Sequence, residues 1–166
     1  NMKKFLILAL LSLNASAQTC LDSVSETANA EQFVVDTDGT ATHTESGLMW
    51  MRCSLGQTFS SDSCIGEADE LNWQQALDDA HGYTFAGLSG WRVPNIKELA
   101  TLTERACVRP AINETVFPNT LSDDYWTSTP SVTDASRAWV VAFFNSSNAL
   151  KEKRLFVYTR LVRTVD

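Results

Sequence analysis

Histidine is almost missing from this sequence: His43 and His81 are the only two in 166 residues. A Ser-His-Asp hydrolase needs a histidine poised between a nucleophile and a carboxylate. His43 lies among threonines in a predicted hairpin and His81 closes a predicted helix, and no Gly-x-Ser-x-Gly elbow occurs, which argues against that chemistry. The four cysteines, Cys20, Cys53, Cys64 and Cys107, include no Cys-x-x-Cys pair. That spacing disfavours a zinc site or a thioredoxin-like redox motif, and no other metal or cofactor is expected. Neither a phosphate loop nor a dinucleotide fingerprint is present. Positive charge is short, with 13 Lys and Arg against 20 Asp and Glu and a net charge of −7. A nucleic-acid partner is therefore not expected. Twenty acids leave carboxylate pairs for glycoside hydrolysis open, because sequence does not measure their separation. An unrecognised hydrolase ranks last, behind binding and structural roles.

Long apolar runs are also absent beyond the first residues. Met2-Lys3-Lys4 precedes an apolar stretch at 5–13, then Ala15-Ser16-Ala17. Positive start, short apolar run and small-residue site predict a secretory signal peptide over 1–17 and a single domain over 18–166. The stretch is too short to span a bilayer, and no later one is longer, so no transmembrane segment is expected. Without an aliphatic residue three before Cys20, a lipid anchor is not expected either. An even cysteine count in an exported chain predicts two disulfides, and four cysteines allow three pairings. Cys53–Cys64 is favoured because it closes a short polar loop, leaving Cys20–Cys107 to pin the N-terminal segment. The expected compartment is periplasmic or extracellular.

What the sequence does have is one sharply punctuated stretch, Gly90-Trp91-Arg92-Val93-Pro94-Asn95-Ile96-Lys97-Glu98-Leu99. Pro94 biases Val93 to extended backbone, and Asn95 with Glu98 three residues on forms a capping box. The spacing of Leu99, Leu102 and Ala106 predicts a helix over about 96–105. A second capping box, Asn72 with Gln75, opens a helix whose face carries Trp73, Ala76, Leu77 and Ala80, with Gly82 just past its end. Phe33-Val34-Val35 and 40–44 read as a hairpin, and Leu48-Met49-Trp50-Met51 as a central strand apolar on both faces. Asp36 and Asp38 in the intervening turn do not continue a calcium-loop spacing, so a solvated turn is expected. Residues 57–68 read as a polar loop. Tyr125-Trp126-Thr127-Ser128 and 137–144 read as strands, with a turn at 145–148. Trp50, Trp91, Trp126 and Trp139 sit in strand-like contexts and are expected in the core.

One charge asymmetry stands out. Residues 137–166 hold Arg137, Lys151, Lys153, Arg154, Arg160 and Arg163 with only Glu152 and Asp166 as acids. Lys151-Glu152-Lys153-Arg154 is read as the start of a return strand, which would put Lys151 and Lys153 on one face. Arg137, Lys151, Lys153 and Arg154 are the candidate ligand-binding residues, able to hold anions by charge-assisted hydrogen bonds. Edge-strand protection by lysine is the competing explanation.

The ordered set Gly47-Leu48-Met49-Trp50, Arg52-Cys53-Ser54-Leu55-Gly56-Gln57, Trp73-Gln74-Gln75-Ala76, Trp91-Arg92-Val93-Pro94-Asn95-Ile96-Lys97-Glu98-Leu99, Pro110-Ala111-Ile112-Asn113, Phe117-Pro118-Asn119-Thr120, Tyr125-Trp126-Thr127-Ser128, Ala138-Trp139 and Arg160-Leu161-Val162-Arg163 resembles the bacterial DUF1566 family. That family is also known as the C-terminal domain of the Legionella collagen-like adhesin. The similarity covers about 36–163. It implies an α+β, C-type-lectin-like fold, with two helices packed on small, mostly antiparallel sheets. It also implies an adhesion-like recognition module for a glycan, with glycosaminoglycans the ligands associated with the adhesin, or for a surface protein. A structural component of an envelope or surface complex is the alternative. The Glu-Pro-Asn and Trp-Asn-Asp signatures of calcium-dependent lectins are missing, so calcium-dependent sugar binding is not implied.

Overall fold

In a computed structural model describing residues 17–165, the chain forms small antiparallel sheets, two short helices and two disulfides. The predicted signal peptide falls almost wholly on residues outside that description. In chain order the strands are β1 (Thr19–Cys20), β2 (Phe33–Val35), β3 (Thr40–His43), β4 (Leu48–Met51), β5 (Thr58–Ser60) and β6 (Ser63–Ile65). Helices α1 (Trp73–Ala80) and α2 (Ile96–Ala100) follow, then β7 (Cys107–Val108), β8 (Asp124–Pro130), β9 (Arg137–Ala142), β10 (Ser147–Glu152) and β11 (Val162–Thr164). A four-stranded sheet runs β11-β4-β3-β2 and a three-stranded sheet runs β10-β9-β8, while β1 pairs with β7 and β5 with β6.

The apolar, two-faced strands explain how these sheets share one interior. Neighbouring residues on a strand point to opposite sides. Trp50 and Met51, Tyr125 and Trp126, Val141 and Val140, and Val162 and Leu161 divide between two buried clusters. The first also takes Phe33, Leu99, Ile112, Phe117 and Phe143, and the second takes Ala76, Ala80, Trp91 and Val93. β4 and β9 are central in their sheets, as their two-faced hydrophobicity predicts. Trp50, Trp91 and Trp126 are buried. Trp139, expected in the core, is only half-buried.

Both capping boxes form: Asn72 and Asn95 each accept from the amide three residues on, and Gln75 and Glu98 return the bond. Gly82 is left-handed at φ 76°, the conformation expected just past a helix. α2, however, stops at Ala100 rather than near 105. Thr101 and Thr103 turn their hydroxyls back onto the carbonyls of Glu98 and Ala100. Such back-bonding competes with helix propagation.

The predicted polar loop at 57–68 contains the β5–β6 hairpin. Ser61 and Asp62 at its tip both have positive φ, 50° and 58°, the primed geometry that two-residue hairpins require. The return strand after β9 also starts earlier than expected, at Ser147. Ser146 adopts φ 65° in the preceding turn, a left-handed position that glycine occupies more easily. Lys151 and Glu152 therefore end β10, and Lys153 and Arg154 lie in the turn beyond it. The residues after them do not prolong that strand but cross to β4 as β11. The disulfides are Cys53–Cys64, the pairing favoured for its short loop, and Cys20–Cys107, the pairing that this leaves.

Candidate functional site

Among the described residues three charged side chains, Arg52, Glu104 and Arg160, are buried, and each bonds to backbone groups of other segments. The Arg160 guanidinium donates to Met51 O and Arg52 O at the end of β4 and to Thr120 Oγ1. It also lies 4.9 Å from the centre of the Phe117 ring. Burial pulls Arg160 down to about 10, with Tyr125 acting in the opposite direction, so it stays charged at neutral pH. Arg52 donates through Nε to Val116 O and through Nη2 to Thr115 O. Together the two arginines hold the irregular segment 113–120 against β4. Glu104 accepts from the amides of Thr27, Ala28 and Ala106 and so ties the N-terminal segment to the turn after α2. Burial pushes its carboxyl up, but those amide bonds outweigh burial and hold it below the usual 4.5.

The stretch around Trp91 works as a local brace. Trp91 donates its indole N–H to Leu88 O at 3.1 Å and buries its rings between α1 and β4. Glu98, the returning member of the α2 capping box, also takes a fork from Arg92, with both N–H···O contacts at 2.8 Å. That pairing is the main reason the Glu98 carboxyl lies below 4.5. The sign follows directly. With the folded value depressed, stability from Glu98 and Glu104 is complete above 4.5 and is lost as pH falls through the lowered values. Urea midpoints followed from pH 6 to 3 should fall steeply in the native chain and less steeply in Glu98→Gln. At pH 7 that variant should lose about 1 kcal/mol. An unchanged acid slope would show that the pair does not contribute.

The four candidate cations surround the open end of the β9–β10 hairpin, and each has a partner. Arg137 pairs with Asp134 at 3.3 Å, Arg154 with Glu152 at 2.6 Å, and Lys151 with Asp124. Lys153 places its ammonium 4.0 Å from the centre of the Trp73 ring. Four cations thus meet three carboxylates. Lys151 and Lys153 do not share a strand face, because β10 ends between them. Arg160 lies in the interior, and Arg163, in β11, donates to Ser89 O. The Asp36–Gly39 turn is closed by its own residues: Asp38 accepts from the amide and hydroxyl of Thr40.

Beside the Trp73–Lys153 contact lies an open groove of about 310 Å³. It is lined by Leu77, Ala80 and His81 from the end of α1, by Trp91, Arg92, Val93 and Asn95, and by Ser128 of β8. Sequence reasoning missed this groove, because its residues come from three separated segments. It counted Arg160 in the C-terminal charge asymmetry without assigning it to the interior. Its neighbours Val157, Leu161 and Val162 were the only local signal that it turns inward.

The sequence model of the Lcl C-terminal domain family matches residues 39–163. The chain belongs to that family. No curated protein matches it in sequence. The Lcl-domain match begins in the turn before β3 and ends in β11. It contains the hairpin cations, the groove, both buried arginines and the Cys53–Cys64 bridge. β1, β2 and Cys20 precede the matched span, so the Cys20–Cys107 disulfide joins the Lcl-domain match to chain outside it.

Proposed function

We propose that this chain is an exported, non-catalytic recognition domain of adhesion-like type that binds a glycan or a surface protein. One observation carries the reading: the buried charges Arg52, Glu104 and Arg160 spend most of their hydrogen bonds on backbone carbonyls and amides of neighbouring segments. An active site aims such groups at a cavity, where shifted acids and bases can act. Here they stabilise long surface loops, as a binding scaffold requires. Family membership supports the adhesion-like role, and two disulfides support export to an oxidising compartment. The two short helices, small antiparallel sheets and long loops are compatible with a C-type-lectin-like fold.

The hairpin cations remain part of the proposed surface, although the neighbouring acids reduce their excess charge. Binding of the oxidised mature chain to an array of neutral and sulfated glycans, at two salt concentrations, tests the reading. Retention on sulfated polymers should weaken with salt. It should also fall about tenfold on charge reversal at Lys151, Lys153 and Arg154. Folded protein that retains no glycan of either kind would overturn glycan recognition. A protein partner, in recognition or in an envelope assembly, would then be favoured. β2 is suited to that role as an outer strand with Val34 and Val35 exposed.

A further inference from the structure

We propose that the groove between the end of α1 and the Trp91–Asn95 segment is a subsite for one uncharged sugar ring of a longer glycan. This rests on the recognition reading above and assigns it a place. The argument begins with what the walls are made of. Half-buried Leu77 supplies the accessible apolar side, backed by the buried edges of Ala80, Trp91 and Val93. Around it stand His81, Asn95 and Ser128. Among the described residues, neither the His81 ring nor Ser128 Oγ has a hydrogen-bond partner. Asn95 spends its Oδ1 on the Glu98 amide, which leaves its NH₂ group available. Apolar surface faced by free donors and acceptors matches a pyranose, which has a C–H face and a rim of hydroxyls.

Charge decides between a neutral and an anionic ring. The cation at the groove, Arg92, is held in a two-bond fork by Glu98. A carboxylate or sulfate would meet a neutralised pair rather than a free guanidinium. The remaining Arg92 N–H groups can still donate to hydroxyls. At about 310 Å³ the groove is at the small end of ligand pockets and suits one ring rather than several.

The groove is also continuous with the cationic hairpin. Trp73 lies one helical turn before Leu77 on α1, so the two side chains are neighbours on its surface. Trp73 donates to Thr127 O, next to Ser128, and carries Lys153 over its ring. A glycan with one ring in the groove would therefore pass over Trp73 and Lys153 with its next unit.

The test uses the oxidised mature chain with methyl glycosides of glucose, galactose, mannose and N-acetylglucosamine, and heparin as the anionic probe. At least one glycoside should shift amide resonances at 77–82, 91–95 and 128. His81→Ala with Ser128→Ala should weaken that binding about tenfold, while heparin retention changes less than about twofold. Both side chains lack partners, so the double variant should keep its fold. Leu77→Trp, which fills the groove, should abolish glycoside binding. Heparin retention with no glycoside binding would overturn the groove assignment and leave glycan recognition standing. So would glycoside binding that the variants leave unchanged. If folded protein binds neither probe, glycan recognition fails together with the groove assignment.

Discussion

Replacing Arg160 by alanine is expected to lower the unfolding free energy by on the order of 4 kcal/mol and the thermal midpoint by roughly 10 °C. Two losses combine. The side chain is fully buried, so truncation leaves a cavity between Phe117, Tyr125 and the end of β4. The carbonyls of Met51 and Arg52 and the hydroxyl of Thr120 also lose their donors. A buried acceptor without a partner costs about 1–3 kcal/mol. Arg160→Met separates the terms, because it refills the volume while leaving the acceptors unpaired. It should fall between alanine and the native chain. Arg160→Lys keeps the charge but has no planar fork to span two carbonyls and Thr120, so it should not restore full stability. Equal stability of Arg160→Met and the native chain, by urea unfolding with disulfides intact, would show that the hydrogen bonds give no net gain over the cost of burying the charge. That result would also remove the physical basis for treating segment 113–120 as a loop held from beneath by Arg52 and Arg160.

The sequence made some of this architecture readable because some signals are local. A capping box needs only residues three apart, so Asn72 with Gln75 and Asn95 with Glu98 located both helix starts. Strands apolar on both faces identified β4 and β9 as central for the same reason. The end of α2 was less legible. Leu99, Leu102 and Ala106 keep helical spacing in the sequence, but hydroxyl bonds from Thr101 and Thr103 close the helix early. The β5–β6 hairpin was hidden because Ser61 and Asp62 take its left-handed positions without an Asn-Gly signal. At the candidate site, the cations were visible but their partners were not. Asp124 reaches Lys151 across the sheet, and Trp73 meets Lys153 from another element. Tertiary structure alone makes those pairs, and it alone assembles the groove from α1, the Trp91–Asn95 segment and β8.

Removing the Cys20–Cys107 bridge should destabilise the domain more than removing Cys53–Cys64. The bridged residues are 87 apart in one case and 11 in the other. A cross-link restricts the unfolded chain more when it closes a longer loop. By that account Cys20→Ser with Cys107→Ser costs about 4–5 kcal/mol, and Cys53→Ser with Cys64→Ser about 3 kcal/mol. Native contacts oppose complete release of the N-terminal segment. Gln18 donates to Pro110 O and Ile112 O, and Glu104 receives the Thr27 and Ala28 amides. β1 itself is only two exposed residues long, so these ties must hold the segment if the bridge is absent. Hydrogen exchange distinguishes the two ways the variant can lose stability. Faster exchange confined to 18–28 would mean local release of chain outside the family-matched span, with a global cost well below 4 kcal/mol. Faster exchange extending to Leu99, Ile112 and Phe143 would mean that the bridge stabilises the first hydrophobic cluster itself. The large separation predicts the second outcome, together with a lower urea midpoint than in the Cys53–Cys64 variant. The reverse ranking of midpoints would show that native ties or residual unfolded structure outweigh loop closure in this chain.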